Sequence, residues 1–285
     1  ICTDWGVITG RIWGVEPLTV EERYLKSIEA GVDQYGGESE PEYIVDLVNQ
    51  GVISEVRIDE SVRRILKNKF DLGLFESPFV DETAVKDAVN LPQYISLGMT
   101  AQRNAVVLLD NSSSALPLAA ETRIFVDGLE PSVAARYTTV VDTPEQADVV
   151  LLFLNTVFNG NQPAGTDSTF DQMMATRFPD TNLAFSDEIL AKAASYSDVS
   201  QLVTLVDLNR PAVLTELKDM SGALVGTFGV SDEAMLDILF GKHNPVGKLP
   251  FELPSSMAEV EAQLEDVPDD TANPLFPYGW GLTYP

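Results

Sequence analysis

Four short apolar runs constrain this chain more than anything else in it: Arg123 to Asp127, Val149 to Leu154, Val203 to Leu208 and Ala223 to Phe228. A strand with one wet face alternates apolar with polar residues, whereas a strand apolar on both sides must be covered on both. Helical stretches lie between the runs, notably Ser186 to Ser195 and Asp232 to Phe240. Apolar strands alternating with helices predict an α/β fold with a largely parallel, doubly covered sheet.

Ahead of this, residues 1–80 read as β-α-β-α. The opening strand, Ile1-Cys2-Thr3-Asp4-Trp5-Gly6, ends in a carboxylate followed at once by an indole and a glycine. Gly10, Gly14 and Pro17 lead to a charged helix from Val20 to Ser27. Ala30-Gly31-Val32-Asp33 reads as a short strand end, turned by Gly36-Gly37. Helices are expected over Tyr43 to Gln50 and Asp59 to Phe70. In the second, Ile58, Val62, Ile65, Leu66 and Lys69 keep the i, i+3, i+4 rhythm, with Asp59 as N-cap. A connecting segment, 81–118, carries a helix over Leu91 to Asn104 and the run Ala105-Val106-Val107-Leu108-Leu109. The tail, 254–285, is acidic and then rich in Pro and aromatics.

Composition removes several classes of function. With 18 Lys+Arg against 44 Asp+Glu the formal charge is -26, which makes nucleic acid and anionic membrane poor partners. The 45% hydrophobic content is enough for a sizeable core. Cys2 is the single cysteine, so no internal disulfide forms. No apolar run approaches the ~20 residues of a membrane span. No Gly-rich phosphate loop follows a strand. Asp and Glu are scattered without a ligand spacing that stands out, so neither a metal nor a cofactor is expected. His243, the sole histidine, sits in Lys242-His243-Asn244-Pro245 and reads as a surface turn rather than a catalytic base.

Four stretches coincide in order. They are Thr3-Asp4-Trp5; Ile58 to Leu66 with Lys69-Phe70 and Gly73-Leu74-Phe75; Ala105-Val106-Val107-Leu108-Leu109 to Leu116-Pro117-Leu118; and Asn244-Pro245-Val246-Gly247-Lys248-Leu249-Pro250 with the closing Tyr278 to Tyr284. Together they resemble the family 3 glycoside hydrolases of the β-glucosidase or exo-β-glucan glucohydrolase type. The resemblance implies the end of a TIM-barrel-like domain followed by an α/β sandwich domain. On that reading residues 1–80 are the last βα units of a (β/α)8-type catalytic domain, 81–118 a linker, 119–253 the sandwich, and 254–285 a tail packing back on the body. It also implies glucose release from β-glucosides or short β-glucans, and a periplasmic or secreted setting. Whether a second copy completes a homodimer stays open.

Carried over, Asp4 resembles the family's nucleophile, the alternative being an ordinary strand-end Asp that caps a loop. Trp5 resembles the aromatic that grips the sugar, the alternative being simple packing. Retaining hydrolysis needs a second carboxyl group about 5–5.5 Å away as acid and base. The resemblance places that group, a Glu, on the loop after a central sandwich strand. Here the strand is Val149 to Leu154, and Asn159 stands where the Glu is expected, with Asp167 and Asp171 as substitutes. A barrel takes eight units and ~250 residues, and this chain holds about the last two. It opens with Ile rather than Met. The expectation is a piece of a longer enzyme, partnered by an N-terminal barrel fragment and acting on a β-linked sugar. The other expectation, from a different class, is a catalytically impaired sugar-binding or interaction module.

Overall fold

Among the described residues, Thr19, Ser54, Ser186, Ser231 and Ser256 each start a helix, because the side-chain oxygen takes up an orphan N–H of the first turn. The computed structural model describes residues 1–10, 14–156, 182–264 and 266–285. They fall into two units, Ile1–Val89 and Asn90–Pro285.

In the first unit, strand β1 (Cys2–Trp5) leads to helix α1 (Val20–Glu29), closed by a capping box between Thr19 and Glu22. Strand β2 (Gln34–Gly36) returns parallel to β1, with Cys2 opposite Gln34 and Trp5 opposite Gly36. The second strand thus lies beyond Ala30–Asp33, where it was expected. Gly31, at φ +99°, unwinds the helix end, and Val32 N–H still bonds back to Ser27 O, so the chain extends only afterwards. Helices α2 (Glu42–Asn49) and α3 (Glu55–Asp71) follow. The N-cap of α3 is Ser54, whose hydroxyl accepts from Arg57 N–H at 3.3 Å, and not Asp59. The helix begins a turn earlier because Ser54 offers a cap there, and this leaves Asp59 inside it. The unit's core is small: Ile8, Tyr24, Ile28, Leu47 and Ile53, with the Tyr24 ring stacked on Tyr43 at 5.7 Å.

The second unit opens with helix α4 (Pro92–Ala105) and strand β3 (Val107–Asp110). Strands β4 (Ile124–Asp127), β5 (Val149–Asn155), β6 (Gln201–Asp207) and β7 (Ala223–Thr227) complete a sheet in the order β3-β7-β6-β5-β4. All neighbours are parallel except β3 against β7. Helices α5 (Asp187–Ser197), α6 (Thr215–Met220) and α7 (Asp232–Leu239) accompany the strands. Alternate strand residues feed two cores. Val149, Leu151, Val203, Leu205 and Val225 join Met235 and Ile238 of α7 on one face. Val150, Leu152, Leu202, Val206 and Leu224 join Ala193 of α5 and Leu217 of α6 on the other.

The run read as part of a connecting segment therefore supplies an edge strand, since a stretch apolar on both sides finds both cores there. Its outer edge is covered by the tail: Leu282 N–H donates to Leu108 O at 2.8 Å and the Trp280 indole N–H to Leu109 O at 2.8 Å. Covering an edge in this way removes a template for unwanted strand pairing. Helix α8 (Met257–Ala262) stands between strands β8 (Leu253–Pro254) and β9 (Pro274–Phe276), which pair antiparallel. His243 is half-buried in the turn after α7, its ring Nε2 3.0 Å from Asn104 Oδ1.

Candidate active site

Parallel strands present their carboxyl ends to one side, and this is where α/β folds build their chemistry. In the first unit that end of β1 holds Asp4 and Trp5. Asp4 is exposed, and its Oδ1 accepts from the Trp5 backbone N–H at 2.7 Å. Trp5 is 69% exposed, although its ring is seated over Gly37: a Cβ there would stand 2.4 Å from Trp5 Cε3. Gly37 also has φ +66°, so the turn and the indole both require glycine. Gly36 lies under the strand in the same manner, with a would-be Cβ 3.0 Å from Thr3 O. Its N–H donates to Thr3 Oγ1 at 2.9 Å, which holds β2 against β1 next to Asp4.

Two charged residues missed in the sequence brace the strand pair, Glu38 at this end and Asp33 at the other. Glu38 accepts from the N–H groups of Ile8 (2.8 Å) and Thr9 (3.2 Å) and from the Thr9 hydroxyl (2.7 Å), tying the loop after β1 to the chain after β2. At the amino end of the strand pair, Asp33 accepts from the Ser61 hydroxyl at 2.8 Å and from Arg64 at 2.8 Å.

At the carboxyl ends of the second unit's sheet, β5 leaves through Asn155 and Thr156. Asn159, Asp167 and Asp171 lie outside the described residues. Beside this exit Asp207 is 6% exposed, and its carboxylate is fully engaged: Oδ1 accepts from Thr227 Oγ1 (3.1 Å) and Gly229 N–H (2.6 Å), and Oδ2 from Asn209 Nδ2 (2.8 Å). The signal for it was an aspartate inside an otherwise buried strand. Thr156 is 2% exposed, and its hydroxyl has no hydrogen-bond partner among the described residues. Among the described residues no group of three His, Cys, Asp or Glu is placed to hold a metal ion, and no helix is long and apolar enough to cross a membrane.

Comparison with known proteins assigns the class. The profile of the Glycosyl hydrolase family 3 C-terminal domain matches residues 127–284. The chain belongs to glycosyl hydrolase family 3. It is 43% identical over 299 residues to a probable beta-glucosidase C of Aspergillus oryzae, covering 100% of this chain and 45% of that protein. A periplasmic beta-glucosidase/beta-xylosidase of Dickeya chrysanthemi is 41% identical over 279 residues, covering 96% of this chain and 41% of its own length. The chain thus spans about half the length of the curated relatives it matches. Among solved structures, the beta-glucosidase from Listeria innocua in complex with gluconolactone shares the fold at TM-score 0.78 and 22% identity, over 99% of this chain and 46% of that one.

Proposed function

We propose that this chain forms part of a retaining glycoside hydrolase that releases glucose from β-glucosides or short β-glucans, with Asp4 as nucleophile. The whole-length likeness to proteins named β-glucosidase carries this reading. The exposed carboxylate at a parallel strand end, beside an indole seated on glycine, supports the choice of residues.

In the first half of the reaction the Asp4 carboxylate attacks the anomeric carbon while a second carboxyl group gives its proton to the departing oxygen. In the second half that group, now a base, takes a proton from water, and the water displaces Asp4 from the sugar. Trp5 offers its indole face to a pyranose ring. The remaining barrel strands come from a companion N-terminal polypeptide. Exposed apolar residues of the first unit favour this, with Val62, Leu66 and Phe70 at 44%, 37% and 59% exposure. The relatives named periplasmic support a periplasmic or secreted setting. Hydrolysis of an aryl β-glucoside by the whole enzyme and by Asp4→Asn tests the assignment; undiminished turnover in the variant rejects it.

Asn159, at the position expected for the acid, favours a second reading: a catalytically impaired module that holds the sugar. Sugar binding without turnover distinguishes it from the first.

A further inference from the structure

We infer that Glu38 is a positioning residue for sugar binding: its carboxylate ties down the turn that follows Trp5 and so keeps the indole seated on Gly37. This rests on the reading above in which the Trp5 face meets a pyranose ring.

The indole is exposed and yet fixed. At 69% exposure it leaves apolar area in water, which is unfavourable unless something covers it. An exposed ring is ordinarily free to turn, but this one lies over Gly37, where even a methyl group would stand 2.4 Å from Cε3. The chain leaves the indole through Gly6, whose N–H still reaches Gly36 O at 3.0 Å.

Beyond Gly6 the pairing with β2 stops, and backbone groups without a ladder need other partners. Gly10 N–H takes Gly6 O at 3.1 Å, which rounds the turn. Half-buried Glu38 takes the next two N–H groups: Oε1 accepts from Ile8 at 2.8 Å and Thr9 at 3.2 Å, while Oε2 accepts from the Thr9 hydroxyl at 2.7 Å. Bonds of this kind to a carboxylate are stronger than neutral ones. From the other side Arg23 Nη1 donates to Ile8 O at 3.2 Å, and the Ile8 side chain enters the small core. Both backbone groups of Ile8 are thus held by side chains from elsewhere. Glu38 directly follows Gly37, so one residue joins the floor under the indole to the turn leading away from it. With both oxygens engaged as acceptors, Glu38 suits a clamp rather than a group that hands a proton to a leaving oxygen.

The test is a double-mutant cycle in the whole enzyme, read as kcat/KM on para-nitrophenyl β-glucoside. Glu38→Ala should lower it about 10-fold, short of the ~10²-fold that a 1 Å misplacement costs. In a Trp5→Ala background the same change should cost less than about 2-fold, because coupled residues do not add. Glu38→Gln keeps an acceptor for the two N–H groups and a donor for the Thr9 hydroxyl, and should recover most of the loss. Thr9→Val removes the Oε2 partner; it should show a smaller loss of the same pattern, and it serves if Glu38→Ala does not fold. Losses that multiply in the double variant, no loss from Glu38→Ala, or a Glu38→Gln as poor as the alanine would each overturn the inference and leave Asp4 and Trp5 in place. Full activity of Trp5→Ala would remove the sugar-binding role of Trp5 and the inference with it. A wild-type enzyme without turnover would remove the hydrolase reading, and the same cycle read as glucose affinity would then decide the clamp.

Discussion

In the unit Asn90–Pro285, alternate residues of each central strand vanish into one of two cores, and Leu151, Leu152, Leu205 and Leu224 are 0% exposed. In Ile1–Val89, helix α3 keeps an equally regular apolar rhythm, yet Val62, Leu66 and Phe70 remain 44%, 37% and 59% exposed. The same kind of sequence signal is fully buried in one place and only partly in the other, where Ile58 packs on the small core and the Phe70 ring meets Phe75 at 4.5 Å. Amphipathic periodicity reports what a segment is built to bury; it does not report whether the covering surface is on the same polypeptide. The site follows the contrast. Asp4 stands on the smaller unit, over a short parallel pair held by Gly36 and Gly37, whereas Asp207 stands in the larger unit's well-buried sheet.

The sharpest way to separate chemistry from packing is Asp4→Asn in the whole enzyme. Because Asp4 is exposed, turnover should fall on the order of 10⁴-fold or more while the denaturation midpoint hardly moves. A variant that lost activity only in proportion to its stability would place Asp4 among the packing residues.

Leu205→Ala against Leu66→Ala addresses the two cores directly. Removing the fully buried leucine should cost about 2–5 kcal/mol, and the exposed one within about 0.5 kcal/mol, by urea denaturation of this chain. Equal costs would break the contrast. A cost at Leu66 that rises when the proposed N-terminal barrel polypeptide is added would sharpen it.

Gly247→Ala probes how tightly the tail is laid on the larger unit. A Cβ at Gly247 would lie 2.3 Å from Val106 O, and one at Gly281 2.3 Å from Gly247 O. Neither backbone can yield like a flexible side chain. The substitution should cost about 1–3 kcal/mol, and hydrogen exchange should speed up at Leu282, whose N–H bonds to Leu108.

The smallest expected effect is electrostatic. The Arg123 guanidinium and backbone N–H hold Asp148 below the ordinary carboxylate range. A folded-state pKa that is lowered contributes stability that is present above the unfolded value, near 3.9. That stability is lost as pH falls toward the folded value, so the pair contributes above about pH 4 and its contribution fades only below it. Carboxyl NMR titration should show Asp148 protonating below a free aspartate, and Arg123→Ala should return it toward normal.

Much of the larger unit was legible because its strands carry their burial in their composition. Ser186 and Ser231 cap α5 and α7 within a residue of where the helices were expected. Strand β2 was not legible at its true place: Gln34-Tyr35-Gly36 has no apolar alternation, and it is a strand because β1 lies beside it. Strand β3 was visible as an apolar run but not as the antiparallel edge, which depends on β7 and on the returning tail. Asp4 and Trp5 could be singled out by type and order. Glu38, Asp33 and Asp207 could not, because their partners lie 20 to 30 residues away or come from several elements at once.

Local chemistry, carried residue by residue along the chain, determined the larger unit's buried strands and the helix starts, the acidic character, and the family. Tertiary structure alone decided which glycine lies under the indole, which edge the tail covers, and which carboxylate ties down the turn after Trp5. Those outcomes are distances between atoms far apart in the chain, and no local preference encodes a distance until the backbone has closed on itself.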